Sequence, residues 1–129
     1  MASMTIRAEF QPAVDEFIAT LTDFSTGSYL KDEDKEFWEQ PFDPAVLPEL
    51  RGILEKLLDG LDALPADPTS ELLVAVVNKT VGDLETFNTA HHDAVLEPEE
   101  KAELNQIIRD ASAATGAEDE ALADLPELD

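Results

Sequence analysis

The chain has 129 residues with 30 Asp and Glu against 8 Lys and Arg, a formal net charge of −22, and no cysteine. That length supports one domain with its own core. The absence of cysteine excludes disulfides, thiolate metal sites, iron–sulfur clusters and thiol nucleophiles. Direct binding to nucleic acid or to an anionic membrane needs cationic surface, which this composition withholds.

A 43% hydrophobic content separates the chain from a disordered polyanion. Spread over the roughly 6,700 Å² expected for this mass, the carboxylates lie about 15 Å apart. That exceeds the Debye length of about 8 Å at physiological salt, so dispersed charge is compatible with folding. No stretch reaches the roughly 18 apolar residues of a membrane span, and no basic-then-apolar leader opens the chain. The expectation is a cytoplasmic protein with no membrane association. Met1 to Thr5 reads as a leader without function.

Ile6, Ala8 and Phe10 alternate with polar residues and read as an extended arm ahead of Gln11 and Pro12, which open a first helix. Its stripe is Val14, Phe17, Ile18, Leu21 and Phe24, and Gly27 is placed to end it. Residues 25–47 follow as an irregular connection holding Tyr29, Phe37, Trp38 and Phe42, half of the eight aromatics. Within it, Asp32 to Gln40 suits two helical turns with an acidic start, and Pro41, Pro44 and Pro48 forbid a longer helix.

Pro48 to Leu64 carries the most regular pattern in the chain. Leu50, Ile53, Leu54, Leu57, Leu58, Leu61 and Leu64 fall on one face, and acidic and basic residues occupy the other. Asp67 and Pro68 read as the cap and first turn of the next helix, Glu71 to Asn88, antiparallel to the one before. Its run Leu72, Leu73, Val74, Ala75, Val76, Val77 is apolar on every side, which predicts a helix covered on every side at the centre of a bundle. A last helix begins near Pro98, buries Leu104, Ile107, Ile108 and Ala111, and stops by Gly116.

The predicted fold is all-α: a four-helix-bundle-like domain over residues 1–116, with an irregular aromatic connection between helices 1 and 2 and an acidic tail over 117–129. That tail holds six acids and no base, with Leu122, Leu125 and Leu128 at every third position. Acidic segments with interspersed leucines often order only on a partner, so a binding role is expected for it.

Catalytic patterns are missing. There is no Gly-x-Ser-x-Gly, no His-Glu-x-x-His and no phosphate-cradling glycine loop, and the five glycines are scattered singly. The acids Asp32, Glu33, Asp34 and Glu36 lack the spacing of a calcium loop. Tyrosine and tryptophan are enriched at binding hot spots. The expected function is therefore a non-enzymatic, acidic protein–protein interaction module, such as an adaptor, inhibitor or regulator, that engages a partner with a basic surface. Its candidate partner-binding residues are Tyr29, Phe37, Trp38, Phe42, Leu122, Leu125 and Leu128, and no catalytic residue, cofactor or metal is assigned. The alternative is a bundle that handles a small molecule or metal through Glu85, His91, His92 and Asp93, since Glu85, Asn88 and His92 would share a face of an extended helix.

Overall fold

A computed structural model describes residues 5–27, 30, 31, 33 and 39–128, and every regular element among them is helical. Five α-helices follow in chain order: α1 (Ile6–Thr26), α2 (Leu47–Asp62), α3 (Ser70–Ala90), α4 (Pro98–Ala113) and the short α5 (Asp119–Ala123). A 3-10 turn at Pro44–Val46 leads into α2, with the Asp43 carboxylate accepting from the Ala45 N–H at 2.9 Å. None of these helices is long and apolar enough to cross a membrane.

α1 begins at Ile6, so the expected extended arm is instead the first turn of a helix. Two sources satisfy the N–H groups that a helix start leaves open. Thr5 caps locally, its Oγ1 accepting from Ala8 N at 3.0 Å. From 56 residues away in sequence, the Asp62 carboxylate accepts from Ile6 N at 2.8 Å and Arg7 N at 3.0 Å. Pro12 falls inside the helix at an exposed position, and Ala8, whose carbonyl it leaves without its helical donor, is exposed as well. Gly27 ends α1 as expected, in the left-handed region at φ 70° with its N–H on Asp23 O.

The centre of the molecule is α2, not α3. Leu47, Leu50, Leu54, Leu57, Leu58 and Leu61 are all buried, and α2 packs against α1, α3, α4 and the 3-10 turn. α3 packs chiefly on α2 and α5. It buries Leu73, Val77, Val81, Leu84 and Phe87, but Leu72 stays 44% exposed, Ala75 is exposed, and Val74 and Val76 are half-buried. The all-round apolar run is thus covered on one side only. Its cap also differs from expectation: Thr69 Oγ1 accepts from Leu72 N, and Asp67 lies two residues earlier at φ 53°. Asp67 is held in place by its N–H, which donates to Thr115 O at 3.2 Å.

α4 buries Leu104, Ile107, Ile108 and Ala111 as the periodicity requires, and ends at Ala113, three residues before the left-handed Gly116. The tail then turns back onto the helices. Leu122 and Leu128 are buried, and Leu125 packs half-buried against the same core. The expected free apolar edge is therefore turned inward.

Candidate functional site

Of the expected aromatic anchors, Tyr29, Phe37 and Trp38 lie outside the described residues. Phe42 is half-buried against the core at the foot of the connection. Just before it, Gln40 Nε2 donates to Ser25 O at 2.8 Å and ties the connection to the end of α1.

Phe42 opens onto a groove between α1 and the start of α4. Phe24, Pro41, Phe42, Ala94 and Val95 form its apolar wall, Glu97, Glu99 and Glu100 form the other, and together they enclose about 290 Å³. A second hollow of about 150 Å³ continues along α1 past Phe17, Thr20 and Leu21 to Glu103, and shares Phe24, Glu99 and Glu100 with the first. Phe24 belongs by spacing to the buried stripe of α1, yet 42% of it remains exposed in this groove. Helical periodicity places Phe24 on a face but says nothing of whether a neighbour reaches that far, which is why the sequence does not disclose the groove.

The acidic wall is built by the helix start. Pro98 opens α4 with its missing N–H where none is needed, and Glu99 and Glu100 follow in the first turn, where the helix dipole favours anions. Partial burial of Glu100 raises its pKa above the ordinary 4.5, and the charges of Glu97, Glu99 and Glu103 push the same way. The groove therefore combines aromatic surface with negative charge that no base in its lining offsets.

The tail leucines are held by an amide clamp. Asn105 Nδ2 donates to Leu128 O at 3.0 Å, and Leu128 N donates to Asn105 Oδ1 at 2.8 Å. Ser70 Oγ adds a bond to Asp124 Oδ2 at 2.7 Å. In this arrangement Leu122, Leu125 and Leu128 contribute to the core, and the outward surface of the tail is acidic.

The four residues of the alternative site are divided between two faces. Glu85 and Asp93 line a hollow of about 70 Å³ beside Leu84, Leu96 and Leu128. His91 turns the other way, edge-on to the Phe87 ring at 4.7 Å, with Nε2 3.6 Å from Glu49 Oε2, beyond hydrogen-bond range. His92 is exposed at φ 61°. Among the described residues no three His, Asp or Glu side chains converge to hold a metal ion. The loop itself is fixed by Asn88, whose buried side chain exchanges two hydrogen bonds with the backbone of Leu96, at 3.1 and 2.9 Å.

Comparison with known proteins returns no match at any level: no family model, no curated protein and no solved structure resembles this chain.

Proposed function

We propose that this chain is a non-enzymatic, acidic interaction module that engages a protein partner of basic surface. In this reading residues 1–116 form a four-helix-bundle-like domain reached through an aromatic connection, and residues 117–129 add an acidic tail to its surface. The observation that carries the proposal is the α1–α4 groove, where Phe24 and Phe42 face Glu97, Glu99 and Glu100. Aromatic side chains supply anchoring area, and a rim of one charge sign steers a partner of the opposite sign and fixes its register. The fitting ligand is an amphipathic helix with a large apolar residue on one face and Lys or Arg on the flanks. A cation from that helix beside Glu100 would relieve the repulsion among the four glutamates.

The test is calorimetric titration with a synthetic Lys/Arg-rich amphipathic peptide of about 18 residues, five helical turns, against a scrambled peptide of equal charge. Backbone NMR would map the contact. Preferential binding of the amphipathic form, with shifts centred on Phe24, Phe42 and Glu100, and loss of affinity in Phe24→Ala, is the expected result. Equal binding of both peptides would mean charge attraction alone, and the groove assignment would be withdrawn.

A further inference from the structure

A second groove runs between the antiparallel α2 and α3. It encloses about 490 Å³ over a floor of Ile53 and Phe87. Beyond it the two helices are in close contact at Gly60, where an added Cβ would sit 3.2 Å from Val76 Cγ1. The α3 side of the groove is formed by Lys79, Asp83, Thr86, Phe87 and Ala90. Beyond the groove the row of Lys79, Asp83, Thr86 and Ala90 continues along the same helix face through Val76 to Leu72, at spacings of four and three residues over about 27 Å in all.

Two properties single this face out. First, the same face of α3 carries the uncovered side of the apolar run beyond the groove, with Leu72 44% exposed at one end of the row. Second, its lining balances in charge, with Glu49 and Asp83 against Lys56 and Lys79. By contrast, the α1–α4 groove is lined by glutamates without a base, and the hollow beside α5 by Asp67, Glu118 and Glu120 without a base. Two chains of net charge −22 repel one another through such acidic faces. Across the lining of the α2–α3 groove the opposite charges are equal in number, so that repulsion is locally offset there.

We infer that the α2–α3 face is a self-association surface whose occupant is a second copy of this chain. A two-fold axis passing between Lys79 and Asp83 sets the two α3 rows antiparallel, as an isologous contact requires. Lys79 of each copy then meets Asp83 of the other, and Leu72 of each copy covers Ala90 of the other. Within one chain Lys79 Nζ and Asp83 Oδ2 already pair at 3.0 Å on open surface. Exposed pairs of this kind contribute little, so exchanging the internal pair for the intermolecular one costs little. A basic partner is disfavoured here by the same two lysines that make the face self-complementary.

The experiment is sedimentation equilibrium of the full chain over a wide concentration range, at about 0.1 M and 1 M salt. The expected result is a mass rising from 14.1 kDa toward twice that value, with tighter association at 1 M, where the Debye length falls to about 3 Å and long-range repulsion is screened. At the lowest salt that supports association, Lys79→Glu should weaken it about tenfold by setting like charges across the axis. Lys79→Glu combined with Asp83→Lys should restore it. Leu72→Ala, an exposed change that retains helix propensity, should weaken association at both salts, with circular dichroism checking that each variant is folded. A single 14.1 kDa species throughout, or association indifferent to both Leu72→Ala and Lys79→Glu, overturns the inference.

Discussion

Asn105 and Leu128 hold each other by both halves of one side-chain amide, and that clamp closes the C-terminal segment onto α4. The two bonds are part-buried, so on loss of the amide the Leu128 N–H and C=O are only partly able to turn to water. Asn105→Ala is therefore expected to destabilise the fold by about 0.5–1.5 kcal/mol, the net range for losing hydrogen bonds that water can partly replace. Removing residues 117–129 should do more, because two buried leucines at about 1.5–3 kcal/mol each leave the core with the segment. We expect a fall in melting temperature of roughly ten degrees or more on truncation after Gly116, measured by thermal circular dichroism. An unchanged melting temperature would show that the segment docks without contributing to stability.

The central position of α2 sets a second expectation. Leu54 is fully buried midway along the helix that touches α1, α3 and α4. Leu54→Ala should cost about 2–5 kcal/mol, the range for emptying a packed site of that size. Native-state hydrogen exchange gives an independent reading, with amides around Leu54 expected to outlast those around Ala75 on the half-covered α3.

Which parts of this arrangement were legible follows from how far each cause lies along the chain. The leucines of α2 and the stripe of α4 carry their burial in local spacing, so both helices emerge from the sequence within a residue or two of their observed bounds. The start of α1 does not, because two of its opening N–H groups are bonded by Asp62 and a local alternation at Ile6, Ala8 and Phe10 imitates a strand. The apolar run of α3 correctly indicates a helix but not its surroundings, since composition cannot say whether Leu72 meets its own chain. The tail misleads for a related reason: six carboxylates suggest solvent, whereas Asn105 and the leucines decide its path. At the groove, the glutamates of α4 read as ordinary first-turn acids, and only the fold brings Phe24 beside them.

Glu100 yields a pH prediction with a definite sign. Its folded-state pKa is raised, first by burial and then by Glu97, Glu99 and Glu103. The folded protein therefore holds this proton more tightly than the unfolded chain does. The associated stability is fully present below the ordinary value of 4.5 and is lost as pH rises through the raised folded value. At neutral pH the ionised group is a small liability, so Glu100→Gln should raise the melting temperature there, and the gain should disappear by about pH 4. Asp15 acts in the opposite sense. Its hydrogen bond from Gln11, then the bond and charge of Arg51, lower its pKa, so its contribution is present above the ordinary carboxylate range and is lost as acid protonates it. Melting curves of Glu100→Gln and Asp15→Asn across pH 3 to 7 should diverge accordingly. Parallel curves would mean that neither carboxylate is coupled to folding.

The helical glycines provide the last test, because Gly60 and Gly82 differ in one respect only that matters to a methyl group. Both lie inside helices, where glycine costs about 0.5–1 kcal/mol relative to alanine through the freedom it retains in the unfolded chain. A Cβ at Gly82 meets nothing within 4 Å, whereas a Cβ at Gly60 on α2 meets Val76 Cγ1 of α3 at 3.2 Å. Gly82→Ala should therefore realise the full propensity gain and raise stability by about 0.5–1 kcal/mol. Gly60→Ala gains the same propensity but must displace the Val76 methyl by a few tenths of an ångström, which offsets part or all of it. Adding Val76→Ala removes the obstructing methyl, so the gain from Gly60→Ala should be larger in that background than in the natural chain. Urea unfolding of the two single variants and the double-mutant cycle measures the difference directly. If Gly60→Ala stabilises as much as Gly82→Ala and shows no coupling to Val76, the close approach of α2 and α3 at that point is wrong.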